Sequence, residues 1–285
     1  MPGQSRVVPA SFRLATAQVE ISADVRRNGA VIRRMMARAA RAGARLVHFP
    51  EGALSGYVKS QIKSWDAVDW SALREELERT AEAAGKLGIW TVFGANHRLT
   101  PPSRPHNGLY IISDAGKLAG RYDKRFCSNT EINDWYAPGS EATVFTIDGF
   151  RFGCAICIEV RFPELFLEYE RLNVDCVLLS VYSKDPIFGV TTQAHAAINN
   201  YWLSLSAPTE CSRGLASGLV APDGQFAARC RAGRSGMIIQ TLDRAAPELD
   251  IALNKARPWR RMARVGDIYA TRRVEDSRSA NRHEF

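Results

Sequence analysis

The sequence predicts an α/β protein built on mixed sheets. Apolar runs of strand length alternate with helix-period stretches along the chain, short hairpin turns join some of the strands, and no low-complexity linker breaks the series. Helical crossovers imply parallel neighbours and hairpins imply antiparallel ones, so the sheets hold both. With 285 residues and no linker, residues 1–285 read as one domain.

FRLATAQV reads as the first strand. Ser22 or Asp24 then offers an N-cap to a long helix whose apolar stripe is Val31, Ile32, Met35, Met36, Ala39 and Ala40, and Gly43 ends it. RLVHF is a short buried strand. A second helix covers about Ser71 to Lys86 and leads into the strand IWTVFGA. GLYIIS and LAGRYDK flank the turn Asp114-Ala115-Gly116-Lys117, and ATVFTI joins RFGCAI through Ile147-Asp148-Gly149-Phe150, both with glycine where a positive φ is cheap. Pro163 suits the first turn of the helix PELFLEYERL. VDCVLLSVYS reads as a strand, TTQAHAAINNYW as a helix and LSLSAPT as a strand. A hairpin around Pro222-Asp223-Gly224 and the strand GMIIQTL follow. The end, RRVEDSRSANRHEF, is too hydrophilic to form core, so residues from about 270 to 285 read as a mobile tail or an arm on a neighbour.

Composition narrows the function. Apolar residues make up 46% and charged residues 24%, an ordinary globular balance. No apolar stretch is long enough to span a membrane, and the first residues lack the apolar block of an export signal, which predicts a cytoplasmic protein. The net charge of +8 comes from arginines scattered among acidic residues, without a nucleic-acid-binding motif, so it reads as solvated surface and predicts no nucleic-acid partner. Six cysteines are too sparse for a disulfide framework, and Cys154 and Cys157 lack the second ligand pair a zinc site needs; no metal is expected.

Three polar residues stand at strand ends, where a rigid α/β scaffold brings side chains together: Glu51 after LVHF and Pro50, Lys124 at the end of GRYDK, and Cys157 after FGCAI. Singly, such residues are more commonly a helix cap, a surface lysine and a core thiol. Their surroundings are more specific. GARLVHFPEGALSGY, YDKRF and GCAICIEVRFPEL, in that order, resemble the three signature segments of the nitrilase superfamily, the carbon-nitrogen hydrolases. ATAQVE, EINDWYAPG, SGLVAPDGQF and RRMARVGDIY extend the resemblance over nearly the whole chain.

That resemblance implies a four-layer α-β-β-α sandwich with a Glu-Lys-Cys triad: Glu51 as general base, Lys124 as charged stabiliser and Cys157 as nucleophile. Glu131 resembles a second glutamate that helps position the lysine and the substrate. The chemistry is physically coherent. A carboxylate accepts the thiol proton, an ammonium favours the thiolate, and the tetrahedral oxyanion binds Lys124 and the Ile158 backbone N–H. Amine leaves, a thioester on Cys157 remains, and water activated by Glu51 hydrolyses it, with no cofactor. The five histidines sit in no catalytic-looking context, which disfavours Cys–His chemistry.

Amide or N-carbamoyl hydrolysis is the expectation, with nitrile hydrolysis or an inactive binding homologue as alternatives. Typical nitrilases carry Trp after the cysteine where this chain has Ile158, whereas Glu159 fits them and departs from the Asp of many amidases. Tyr182 is either a pocket wall or a packing residue. Arg161 either meets a substrate carboxylate or pairs with a neighbour such as Glu164. Family members usually dimerise, and aromatics on the two helices (Phe166, Tyr169, Tyr201 and Trp202) suggest a homodimer with those helices in the interface.

Overall fold

In a computed structural model, residues 10–283 and residue 285 are described. The N-terminal segment, residues 1–9, on which the expectation about an export signal partly rests, lies outside them.

The chain forms two six-stranded sheets packed face to face, each covered by helices. The first sheet has the order β12-β1-β2-β3-β4-β5: Gly236–Asp243, Ser11–Gln18, Leu46–His48, Trp90–His97, His106–Ile112 and Leu118–Asp123. The second has the order β11-β10-β9-β8-β7-β6: Phe226–Arg229, Gly218–Val220, Trp202–Ser206, Cys176–Ser180, Phe150–Ile156 and Val144–Ile147. In both, β1-β2-β3 and β7-β8-β9 are parallel and the flanking strands antiparallel, which is the mixture the hairpins predicted.

Helices α1 (Val25–Arg41) and α2 (Trp70–Leu87) cover the first sheet. Asp24 caps α1 by accepting from the N–H groups of Arg26 and Arg27, and Ile32, Met35, Met36 and Ala39 turn inward as the spacing requires. Helices α3 (Pro163–Arg171) and α4 (Ile187–Asn199) cover the second sheet. The predicted hairpin at residues 147–150 is present, with Asp148 at φ +48° and Gly149 at φ +79°, values that match strand twist in a two-residue turn.

Between the sheets, Phe12 meets the rings of Phe150 and Phe152 at 5.5 and 5.0 Å. A polar chain crosses the same dry space. Thr16 Oγ1 lies 2.7 Å from Ser204 Oγ, which lies 2.8 Å from His48 Nδ1. His48 Nε2 lies 2.8 Å from Ser180 Oγ, which donates to the Phe49 carbonyl at 2.8 Å. Burial pushes the His48 pKa down to about 3, so the ring is neutral and has one proton. Since Ser180 spends its proton on Phe49, the His48 proton sits on Nε2, and every donor in the chain points the same way.

Two expectations are corrected here. α4 starts earlier than its apolar run suggested and stops at Asn199, so Tyr201 lies beyond it and Trp202 begins β9. Phe166, Tyr169, Tyr201 and Trp202 are all buried inside the one chain and offer no surface to a neighbour. They fill the space between α3, α4 and the second sheet, because large aromatics on these elements are needed to complete that core.

The sequence pattern did not show α5 (Arg257–Val265). Its arginines recur at i, i+3, i+4 and i+7, the spacing that usually carries the apolar stripe. Here the arginines face the body. Arg257 donates to the Val174 carbonyl, Arg260 and Arg264 to the Ile198 carbonyl, and Arg261 to the side chain and carbonyl of Glu170. They cap the C-terminal ends of α3 and α4, where carbonyls lack helical partners and cations are favoured. Trp259, Met262 and Val265 are left facing solvent. Beyond Asp267 no described side chain is buried, as the polar composition of the tail predicted, although two short helical turns form.

Candidate active site

Glu51 is carried by a loop that continues past β2 alongside β3. Phe49 donates to the Val92 carbonyl at 2.8 Å, Gly94 to Pro50 at 3.2 Å, and Leu54 to Gly94 at 2.9 Å. The position requires glycine at 94, because a Cβ there would stand 2.3 Å from the Gly52 nitrogen and 2.6 Å from the Pro50 oxygen. Lys124 follows β5 and is tied at both backbone ends, donating to Asn107 at 2.9 Å and accepting from Gly139 at 2.8 Å. Cys157 follows β7 at φ +52°, a left-handed conformation that turns the chain sharply into the short helical turn Cys157–Arg161. Glu131 opens the wide helical turn Glu131–Trp135.

These four side chains converge in a closed cluster. Lys124 Nζ donates to Glu51 Oε1 at 3.2 Å and to both Glu131 oxygens at 2.8 and 2.9 Å, with all three groups essentially inaccessible to solvent. Asn107 donates to the same Glu51 oxygen at 2.7 Å, and the Ser128 N–H to Glu131 at 2.8 Å. The other Glu51 oxygen, Oε2, is buried and has no hydrogen-bond partner among the described residues. Cys157 is 7% exposed and lies within the electrostatic reach of Glu51, Lys124 and Glu131.

The charge states follow from this packing. Burial, and then the carboxylate of Glu51, hold the Cys157 thiol well above its usual pKa, while Lys124 and the Tyr182 backbone N–H pull in the opposite direction. Burial raises the Glu51 pKa as well, against the pull of Lys124. Burial disfavours the Lys124 ammonium too, but its two carboxylate neighbours outweigh that and hold it firmly protonated. Glu131, for which burial is likewise the largest influence, is nevertheless kept below the ordinary carboxylate value by Lys124 and Ser128. The resting cluster thus sets a thiol kept protonated by burial beside an ammonium that bridges two carboxyl groups.

Tyr182 packs and hydrogen-bonds within the chain. Its ring stacks on Tyr57 at 4.5 Å, and its hydroxyl meets Ser60, Gln61 and Glu210 at 2.9, 3.0 and 3.2 Å. Tyr57 in turn donates to Glu131 at 3.4 Å, so the stacked pair borders the cluster. Ile158 is the second residue of the turn after Cys157, where an N–H has no acceptor within the turn. Arg161 does not join the cluster. It pairs with Asp185 at 3.4 Å rather than with Glu164, and its guanidinium lies 5.4 Å from the Phe188 ring. Glu164 lies at the start of α3, whereas Asp185, just ahead of α4, is brought beside the end of the Cys157 turn.

Glu159 has a role that its position beside Cys157 did not disclose. Fully buried, it accepts from the Ile156 N–H at 2.7 Å, from Arg125 and Phe126 at 2.7 and 3.0 Å, and from the Tyr122 hydroxyl at 2.8 Å. One carboxylate therefore ties the cysteine turn to the segment after Lys124. Asn107 and Tyr57 were also missed, since each is an ordinary polar position in an ordinary stretch.

A thiol, a carboxyl group with one free oxygen and a fixed ammonium are thus held together at strand ends of a two-sheet sandwich. The chain belongs to the carbon-nitrogen hydrolase family, whose pattern it matches over residues 13–248. It is 25% identical over 144 residues to nitrilase homolog 2 of Dictyostelium discoideum, covering 47% of this chain and 43% of that protein. It is 28% identical over 176 residues to a Mycobacterium tuberculosis protein named as a hydrolase, covering 58% and 59%. The chain thus spans about half the length of the curated relatives it matches. Among solved structures, an amidase from Nesterenkonia sp. shares the fold at a TM-score of 0.74 and 22% identity, over 92% of this chain and 99% of that one. No described helix is long and apolar enough to cross a membrane.

Proposed function

We propose that the protein hydrolyses a non-peptide carbon–nitrogen bond, in an amide or N-carbamoyl group, through a thioester on Cys157. The observation that carries this reading is the unpartnered buried oxygen of Glu51, beside a thiol whose proton needs an acceptor. In this mechanism the thiol proton passes to Glu51 as sulfur attacks the carbonyl carbon. The oxyanion is met by Lys124 and the Ile158 N–H. Glu51 then returns the proton to the departing nitrogen, releasing ammonia or amine. Water attacks the thioester, losing its proton to Glu51, and the acid leaves as the thiol is restored. Membership of the carbon-nitrogen hydrolase family supports the reaction class. The low exposure of Cys157 supports a small acyl group. Ammonia release measured over amides, N-carbamoyl amino acids and nitriles tests it, and activity on nitriles alone would overturn the amide assignment.

Glu51→Gln is expected to lower kcat by roughly 10²–10⁴, the range for a lost general base, because an amide cannot take the proton. In the native enzyme, Glu51 must be ionised to act. Its raised pKa therefore puts the acid limb of kcat/KM above the ordinary glutamate value of about 4.3. A glutamine variant with native rates would leave Glu51 merely structural.

We also propose a cytoplasmic homodimer. With the four aromatics buried, the support comes from the outer side of α4, where Ile187, Val190, Ala194 and Ile198 form an exposed stripe on a helix without Lys, Arg, Asp or Glu. The same stripe on a second copy covers it, with α4 itself contributing no charged side chain to desolvate. Light scattering at micromolar concentration is expected to give twice 31.6 kDa, and Val190→Glu to give the single-chain mass. A native protein at the single-chain mass would refute the dimer.

A further inference from the structure

On the outer side of the first sheet, α2 and the last strands leave an open groove of about 710 Å³. Trp70, Leu73 and Leu77 form one wall; Tyr110, Ile112 and Leu118 form the floor. None of Glu51, Lys124, Glu131 or Cys157 lines it. The volume suits a small molecule, and Leu118 is left 57% exposed at its edge.

The polar groups of the groove have a defined sense. Asp123 clamps Arg121 through contacts of 2.7 and 2.8 Å, and Arg121 reaches His97 Nε2 at 2.9 Å. A guanidinium only donates, so Nε2 accepts, and the neutral ring carries its proton on Nδ1. That proton goes to the Tyr110 hydroxyl oxygen, 2.8 Å away. The hydroxyl's own proton then has no acceptor among the described residues. At the rim, Arg98 lies 5.6 Å from the Trp70 ring and makes no ion pair among the described residues. The other rim charges, Arg74 and Glu78, neutralise each other at 3.0 Å.

An apolar trough with spare donors, among them the Tyr110 hydroxyl and the unpartnered Asn96 side-chain N–H group, and one unpaired cation complements a molecule with an apolar body and an anionic, accepting end. We propose that this groove is a second binding site, separate from the cysteine cluster, for an aliphatic or aromatic carboxylate. The tail packs on the trough, one carboxylate oxygen accepts from Tyr110, and Arg98 balances the charge.

Because Trp70 forms a wall, intrinsic fluorescence of the full chain reports occupancy, with octanoate as the probe. A saturable change is expected, and it should survive alkylation of Cys157 by iodoacetamide, which blocks the cluster. Leu118→Glu should abolish the change by placing a like charge in the trough. Tyr110→Phe should weaken binding roughly 2–10-fold, the scale of one hydrogen bond. Octylamine should bind at least about tenfold more weakly than octanoate, because Arg98 opposes it. The proposal is overturned by no saturable change with octanoate, by a change that alkylation removes and Leu118→Glu leaves, or by equal affinity for octylamine. Ammonia release is independent of all these outcomes, so the reaction assignment and the groove stand or fall separately.

Discussion

Cys157→Ala is expected to reduce ammonia release to background while leaving the protein folded. Loss of a hydrolase nucleophile costs on the order of 10⁶ in kcat, and no neighbouring group offers a replacement. Cys154 points into the core three residues earlier, and Cys127 is held as a thiol by burial. The fold should survive, because alanine accepts the φ of +52° about as well as cysteine does and removes only one sulfur atom. Two readouts make the test complete: thermal unfolding close to that of the native chain, and loss of the iodoacetamide adduct at position 157. Native turnover in the alanine variant would end the cysteine mechanism.

Lys124→Met is expected to damage both rate and stability, through separate physical causes. The rate should fall at least about 10²–10³-fold, the scale of one lost oxyanion donor, with a smaller change in KM because the ammonium faces charge that develops during the reaction. Stability should fall by about 3–5 kcal/mol near neutral pH, since Glu51 and Glu131 would remain as buried carboxylates without their cation. The pH dependence distinguishes the two causes. In the native chain the Glu131 pKa lies below the unfolded value of about 4.3. Its contribution is therefore present above that pH and is lost as pH falls through the lower, folded value. Without Lys124, burial, the largest influence on both carboxylates, raises their pKa values against the remaining hydrogen bonds from Asn107 and Ser128, so the variant should gain stability as the pH falls toward about 4.3. Denaturant midpoints across that range give the answer, and a variant whose stability falls in parallel with the native chain would contradict the bridged cluster.

The sequence disclosed the four residues of the cluster because each lies in a short segment with its own local signature. It did not disclose what holds them. Asn107 reaches Glu51 from 56 positions away, and nothing in HNGLYII separates that asparagine from one facing water. Glu159 was visible as part of the cysteine segment, but its work on the Arg125 and Phe126 backbone depends on how two strands from different sheets meet. The helix aromatics went wrong for another reason. Helical spacing says which residues share a face, and not whether that face is covered by the chain's own sheet or by a neighbour. α5 inverts the usual rule altogether, since a pattern search seeks apolar residues at the inward spacing and finds arginines.

The one-way chain from Thr16 to the Phe49 carbonyl has an evolutionary consequence. Each hydroxyl has a single proton, so no link can reverse without reversing all the links after it. Ser204→Ala would orphan the His48 Nδ1 lone pair and the Thr16 proton together, and His48→Leu would strand Ser204 and leave Ser180 without its donor. Each such single step costs about 1–3 kcal/mol, whereas replacing all the partners by apolar groups of similar shape is close to neutral. Positions 16, 48, 180 and 204 are therefore free to drift only in concert. Separated by as many as 188 positions in the chain, they are expected to be exchanged together, two residues from the carboxylate on which the proposed reaction depends.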